Sequence, residues 1–318
     1  SENEFDISNE ATTPISDYVE IHRNVVNNQI ETGCFIQKKY DECKTIVHTP
    51  AFHNWVLWYI IGYWRRKAGE AAFAAARLTE KSEERERYCR LAVMAGHREA
   101  CRMFCLLHPE RFDGHSPHKP FKLRGIRISF YGYYYPSRYN ALLNDEQRAF
   151  CHSIYQFKQG DIHGIEFFKT CMNALQLKKR PYHIMFMPCS NWIKYGQRFK
   201  RLDWYIGKHR QDLTSGLYDV DICDARESLH EAKGGEKRIL ERNYLITGKI
   251  KGKEIIIIDD VLTTGQSVAD YKEEIERCGG KVVAAIFYGK TLSMPSMLLV
   301  QIHVWGNHIA HIIERMTK

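Results

Sequence analysis

The chain has 318 residues, enough for two domains that each bury a core. Its composition, 44% hydrophobic and 26% charged with 9 Pro, excludes a low-complexity or disordered chain. A formal net charge of +8 points to anionic partners.

The stretch Ser1–Glu20 is polar and acidic, unlike a secretory signal, and the longest apolar run, Trp55–Tyr63, is too short to span a bilayer. A cytoplasmic protein with no membrane partner is therefore expected. The 10 cysteines are dispersed and form no CxxC pair, which suits reduced, buried thiols. Cys101 and Cys105 lie one helical turn apart with His97 and His108 nearby, so a zinc site competes there with plain core packing.

In chain order, a helix is expected over Tyr18–Ile30 and another from Phe52 to Trp64, closed by Arg65-Arg66-Lys67. Helices over Gly69–Leu78, Ser82–Ala95 and His97–Leu107 follow. The run Glu83–Phe104, helix, Gly96 turn and helix, loosely resembles Sel1-like or tetratricopeptide-like repeats, with an ordinary helical bundle as the alternative. His108–Lys119 reads as a linker, because Pro109, Gly114 and Pro117 break any period. Beyond it the pattern changes. Phe121–Tyr135 alternates like a strand, with Ile126, Ile128 and Phe130 on one face. Helices are expected over Leu142–Phe157, Arg201–Asp212 and Val268–Cys278, and strands over Tyr182–Met187, Glu254–Ile258 and Lys281–Tyr288. This alternation predicts an α/β fold with a parallel-rich twisted sheet over residues 116–318, preceded by an all-α, repeat-like region over 1–115.

The segment with the most chemical content is Ile255–Ser267, Ile-Ile-Ile-Ile-Asp-Asp-Val-Leu-Thr-Thr-Gly-Gln-Ser. Four β-branched residues suit a strand buried on both faces. Asp259 and Asp260 at its end need donors, which two adjacent ribose hydroxyls supply. Thr263, Thr264, Gly265, Gln266 and Ser267 then offer hydroxyls and backbone N–H groups ahead of a helix, a cradle for a 5-phosphate.

This segment resembles the phosphoribosyl-pyrophosphate signature of type I phosphoribosyltransferases: an apolar strand, two acids and a Thr-Thr-Gly turn. Further motifs are similar to the ComF-like branch: Phe157-Lys158-Gln159-Gly160-Asp161, Met187-Pro188-Cys189-Ser190-Asn191, Arg198-Phe199-Lys200-Arg201, Arg242-Asn243 and Gly289-Lys290-Thr291. The likeness runs from about Tyr131 to Leu292. It implies transfer of a phosphoribosyl group from phosphoribosyl pyrophosphate to a nitrogenous acceptor, with release of pyrophosphate. Mg²⁺ would be held by ligand oxygens and waters, with no direct protein ligand. The resemblance makes Cys189, Ser190 and Asn191 the pyrophosphate loop. Arg198, Lys200, Arg201, Arg226, Lys233, Lys237 and Arg238 are the candidate cations at the leaving group.

The chain departs from the branch in three places. Helices stand where a cysteine-rich zinc ribbon often precedes the domain. Arg226-Glu-Ser-Leu-His230 stands where an Arg and Thr usually lead to a Gln, and Lys233–Arg238 is longer than the usual loop. Gly234-Gly235 would let that loop close over the site, while a solvated charged segment is the plainer reading of Lys233–Arg242. Aromatic and basic residues interleave over Arg124–Tyr139, which fits stacking of unpaired bases, a lid over an acceptor, or core packing. An alternative to the enzyme is a phosphoribosyl- or nucleotide-binding sensor or effector, acting with a nucleic acid or with a protein partner through the N-terminal helices.

Overall fold

The computed structural model describes residues 62–79, 81–162, 164–222 and 243–317. The helices expected over Tyr18–Ile30 and from Phe52 lie largely outside them, as do Arg226, His230, Lys233, Gly234, Gly235, Lys237, Arg238 and Arg242. Two compact units make up the chain, residues 1–107 with 295–318, and residues 108–294.

In the first unit, α1 (Gly62–Leu78), α2 (Ser82–Met94) and α3 (Arg98–Leu107) are joined by tight turns. Small residues let α1 and α2 approach: Ala71, Ala72, Ala75 and Ala76 are buried, and a Cβ on Gly69 would lie 3.0 Å from that of Ala95. Gly96, at φ +83°, makes the turn into α3. The His97 ring stacks on Phe73 at 4.3 Å, and its Nδ1 accepts from the Ala100 N–H at 3.2 Å. Burial pushes the Cys101 and Cys105 thiols up to about 11 and about 12, so both stay protonated and pack as apolar groups. Among the described residues no cluster of His, Cys, Asp and Glu could hold a metal ion. The zinc alternative at His97, Cys101, Cys105 and His108 therefore gives way to core packing.

The final helix, which we number α9 (Met297–Met316), groups with this unit rather than with the C-terminal domain drawn from sequence. Val300 and Val304 are buried, the Gln301 amide donates to the Val93 carbonyl at 3.4 Å, and the His303 ring lies 6.5 Å from Phe104. No helix among the described residues is long and apolar enough to cross a membrane.

The second unit begins with a short helix, α4 (Pro109–Asp113), inside the stretch expected to be a linker. Its elements then run β1 (Phe121–Leu123), β2 (Ile126–Tyr134), α5 (Asp145–Gln159), α6 (Ile165–Leu175), β3 (Tyr182–Phe186) and α7 (Trp192–His209). β4 (Leu213–Ser215), β5 (Val220–Ile222), β6 (Tyr244–Ile246), β7 (Glu254–Leu262), α8 (Gln266–Arg277) and β8 (Lys281–Thr291) follow. Six strands form one sheet in the order β1-β2-β8-β7-β3-β4, parallel throughout except for β1, and β5 and β6 pair apart from it. This is an α/β fold, as the alternation of elements implied.

Two expected boundaries move. Phe121–Tyr135 is a hairpin rather than one strand, turning at Arg124-Gly125 with both residues in the left-handed region. The helix expected from Arg201 starts nine residues earlier, at Trp192, where the Asn191 side chain accepts from the Lys194 N–H at 2.9 Å.

The sheet core is apolar on both faces. Ile255, Ile256, Ile257 and Ile258 are fully buried, each worth roughly 1.5–3 kcal/mol of transfer free energy. An aromatic cluster fixes α5 and α6 to β8: Tyr288 stacks on Phe167 at 4.6 Å and meets Phe157 edge-on at 5.4 Å. At the sheet's other end His183 bridges Thr214 Oγ1 at 2.7 Å and Asp219 Oδ2 at 2.6 Å, tying β3 to the loop before β5. Burial lowers the His183 pKa, against the pull of Asp219.

Gly160 caps α5 at φ +79°, and a Cβ there would lie 2.6 Å from the Gln197 carbonyl oxygen on α7. Gly160→Ala would combine backbone strain with a clash against a fixed main chain, and we expect a loss of about 2–4 kcal/mol in urea unfolding. An unchanged midpoint would show that α5 and α7 are not held at this distance.

Candidate functional site

The strand order reverses between β3 and β7. These neighbours pair in parallel, yet the chain leaves β3 for β4 on one side and β7 for β8 on the other. Ligands of open α/β sheets bind in the crevice that such a reversal leaves at the strands' C-terminal ends. The segments that follow β3 and β7 are Met187–Asn191 and the loop ending at Gly265, and they carry the sequence-predicted residues.

Asp259 and Asp260 lie within β7 rather than just past its end, because pairing with β8 continues through Asp259–Phe287 to Leu262–Lys290. Asp260 is buried, and Asp259 Oδ1 accepts from the Asp260 N–H at 2.7 Å. Two cations face the pair. Arg198 Nη1 on α7 lies 2.5 Å from Asp260 Oδ2 and 3.8 Å from Asp259 Oδ1. Lys158 Nζ, in the last turn of α5, lies 3.4 Å from Asp260 Oδ2. Even so, burial first and the Asp260 charge second raise the Asp259 carboxyl well above the usual carboxylate range, against the opposing pull of Arg198. Arg198 Nε is buried and has no hydrogen-bond partner among the described residues.

The turn after β7 exposes Thr263 and Thr264, then places Gly265 at φ +77° as the cap of α8. Glycine is required twice over. The dihedral is left-handed, and a Cβ would lie 2.6 Å from Leu123 Cδ2 on β1. The helix starts at Gln266, two residues earlier than its period suggested, so Gln266 and Ser267 form its exposed first turn. The first intrahelical bond runs from the Ala269 N–H to the Gly265 carbonyl, leaving the N–H groups of Gln266, Ser267 and Val268 without helical acceptors. Such an N-terminus attracts anions.

A second helix N-terminus stands beside the first. Cys189 is buried and its carbonyl accepts from the Asn243 side chain at 2.8 Å, Ser190 is exposed, and Asn191 caps α7. Burial pushes the Cys189 thiol up to about 11, which makes it a packing group near the acids and not a nucleophile.

The predicted cations differ in where they lie relative to the acid pair. Lys200 is exposed two residues beyond Arg198, some 200° round the helix, and so points away from the acid pair. Arg201 is exposed as well, and only Arg198 of this run reaches the carboxylates. Lys290, in the Gly289-Lys290-Thr291 motif, is buried against Asp113 with Nζ 2.5 Å from Oδ1. Lys158 was legible as a motif residue but not as a partner of Asp260, since the contact joins positions about a hundred residues apart. Tyr133, Tyr135 and Tyr139 are buried, and the Tyr133 hydroxyl donates to Asp113 Oδ2 at 3.1 Å, so these rings offer no free face to a base. Tyr131 and Tyr134 are half-buried, Lys158 Nζ lies 5.9 Å over the Tyr134 ring, and Arg124 and Arg138 are exposed.

Residues 211–291, from just before β4 to the end of β8, match the family model of the phosphoribosyl transferase domain. An orotate phosphoribosyltransferase of Sulfolobus acidocaldarius is 42% identical over 57 residues, covering 18% of this chain and 26% of that enzyme. The matched stretch thus spans about a quarter of the relative's length. The stretch that matches the phosphoribosyl transferase domain carries the paired acids and the Thr-Thr-Gly turn at a helix N-terminus, within a mostly parallel sheet.

Proposed function

We propose that the domain binds 5-phosphoribosyl pyrophosphate and transfers its phosphoribosyl group to a nitrogenous acceptor, releasing pyrophosphate in the cytoplasm. The observation that carries this reading is the adjacency of an acid pair, Asp260 buried and Asp259 half-buried, and an exposed helix N-terminus on one continuous segment, Asp259–Ser267. A ribose 5-phosphate needs those two receptors side by side. Its 2- and 3-hydroxyls would donate to Asp259 and Asp260. Its phosphate would accept from Thr263, Thr264 and the N–H groups of Gln266 and Ser267.

Cleavage at C1 develops positive charge on the ring and negative charge on the leaving group. The carboxylates suit the first and Arg198 the second, aided by the helix N-terminus at Ser190-Asn191. Mg²⁺ held by ligand oxygens and waters would neutralise pyrophosphate charge at this site. Arg226, Lys233, Lys237 and Arg238 belong to the same proposal as cations of a closing loop.

The test is titration calorimetry with phosphoribosyl pyrophosphate and Mg²⁺, followed by pyrophosphate release across a panel of bases, orotate included. Asp259→Asn/Asp260→Asn should abolish binding while the circular dichroism of the native protein persists; wild-type affinity in this variant would remove the site assignment. Thr263→Ala and Thr264→Ala, both at exposed positions, should each weaken ribose 5-phosphate binding by roughly tenfold or more.

The acid pair also predicts a pH dependence of stability. The raised Asp259 carboxyl holds a proton in the native state that the unfolded chain loses near ~3.9. The stability this contributes is present below that value and is lost as pH rises through the folded value. Asp259→Asn escapes the loss, so its melting temperature should gain on wild type between acid and neutral pH. A difference that does not change with pH would contradict the burial of that charge.

A further inference from the structure

Asn243, the residue just before β6, reaches across to the loop that follows β3. Its side-chain amide donates to the Cys189 carbonyl at 2.8 Å, over 54 residues of chain. The β5–β6 ribbon holds that amide in place. Tyr244, the next residue, pairs with Ile222 and sets its ring edge-on to buried Tyr271 of α8 at 5.4 Å. At the far end of β6 the Thr247 and Gly248 N–H groups donate to the Asp219 carbonyl at 2.9 and 3.1 Å, and Asp219 Oδ2 meets His183 of β3 at 2.6 Å. The ribbon is thus tied both to α8 and to the strand that leads into the loop.

The loop side is equally constrained. The Cys189 side chain is buried, and the Asn191 side chain accepts from the Lys194 N–H at the start of α7. No peptide bond among the described residues is cis, and in a planar trans unit the N–H points opposite to the carbonyl. With the Cys189 carbonyl turned to Asn243, the Ser190 N–H faces away from the amide. That N–H has no acceptor among the described residues, and the Ser190 side chain beside it is exposed. On the reading that this loop receives pyrophosphate, we infer that Asn243 is a positioning residue of the diphosphate subsite, fixing the Cys189–Ser190 peptide so that the Ser190 N–H donates to a diphosphate oxygen. A peptide free to turn over would offer its carbonyl oxygen to the anion instead. The 5-phosphate cradle at Thr263–Ser267 follows a different strand, β7, while the Asn243 amide goes to Cys189, so the effect is confined to the diphosphate.

Titration calorimetry of the full 318-residue chain in Mg²⁺ tests this, with inorganic pyrophosphate and ribose 5-phosphate as separate ligands. Asn243→Ala and Asn243→Asp, neither of which can donate, should each weaken pyrophosphate by about tenfold or more, with ribose 5-phosphate within about twofold of wild type. Asn243→Asp matches asparagine in size, so it carries the test should Asn243→Ala fail to fold. Asn243→Gln keeps the amide donor and should recover most of the lost affinity. Pyrophosphate binding unchanged in the variants that cannot donate overturns the inference. An equal loss for both ligands overturns it too, because Asn243 would then support the domain as a whole. A wild type that binds ribose 5-phosphate but not pyrophosphate removes the inference alone, and one that binds neither removes the proposed function with it.

Discussion

Two carboxylates side by side in a buried strand are an electrostatic problem that the rest of this domain is arranged to meet. Taking Asp259 and Asp260 out of water costs several kcal/mol per charge unless opposing charges and donors lie close by. The fold supplies them from two helices distant in sequence, Arg198 from α7 and Lys158 from α5. Those helices reach the site because β3 lies beside β7 and because the aromatic packing of Phe157 and Tyr288 fixes α5 against β8. Gly160 lets the two helices approach at the level of these side chains. Strand order, helix placement and one left-handed glycine thus serve a single charge balance.

Local chemistry was legible in the sequence because it is consecutive. Ile255–Ser267 gives the strand, the acids and the phosphate-ready turn without reference to anything else in the chain, and the parallel α/β class follows from the alternation of elements. Information carried by distant partners was not legible. The strand outlasts its isoleucines because β8 goes on pairing with it past Asp259, a fact held by Phe287, Gly289 and Lys290. Arg198 and Lys200 look alike in a basic run, and only the helix that begins at Trp192 separates them, turning one toward the acids and the other into solvent. Tyr133 and Tyr135 fitted a stacking surface or core packing equally because aromatic and basic residues interleave there, and their burial depends on distant residues such as Asp113, to which the Tyr133 hydroxyl donates.

The two helix N-termini add a second constraint. α7 and α8 begin just beyond the C-terminal ends of adjacent strands, so their partial positive charges converge on one crevice. A site that gathers carboxylates and helix N-termini within one crevice is matched to a ligand carrying both hydroxyls and phosphates. A simple anion would be repelled by the acids, and a neutral sugar would make no use of the helix N-termini, where the Gln266 N–H donates to Thr264 Oγ1 at 3.4 Å. On the proposed reading, the ligand class rests on this pairing of opposite preferences more than on any single residue.

The same balance explains how the resting site could become a working one. Arg198 is held by Asp260 through Nη1 while its buried Nε has no partner among the described residues, so its hydrogen-bonding capacity is only partly used. On the proposed reading, ribose hydroxyls donate to the carboxylates and compete with the guanidinium for the same oxygens. Arg198 then has both charge and donors to offer an incoming diphosphate. The cation that makes the acids tolerable before binding is thereby the one that can stabilise the leaving group after it, and the protein needs no separate charge to be buried for each state. Lys158 can stay on Asp260 while that exchange takes place, because it approaches from α5 instead of α7. On the proposed reading, division of the acid pair between a fixed and an exchangeable cation is the physical step that connects the stability of this strand to its chemistry.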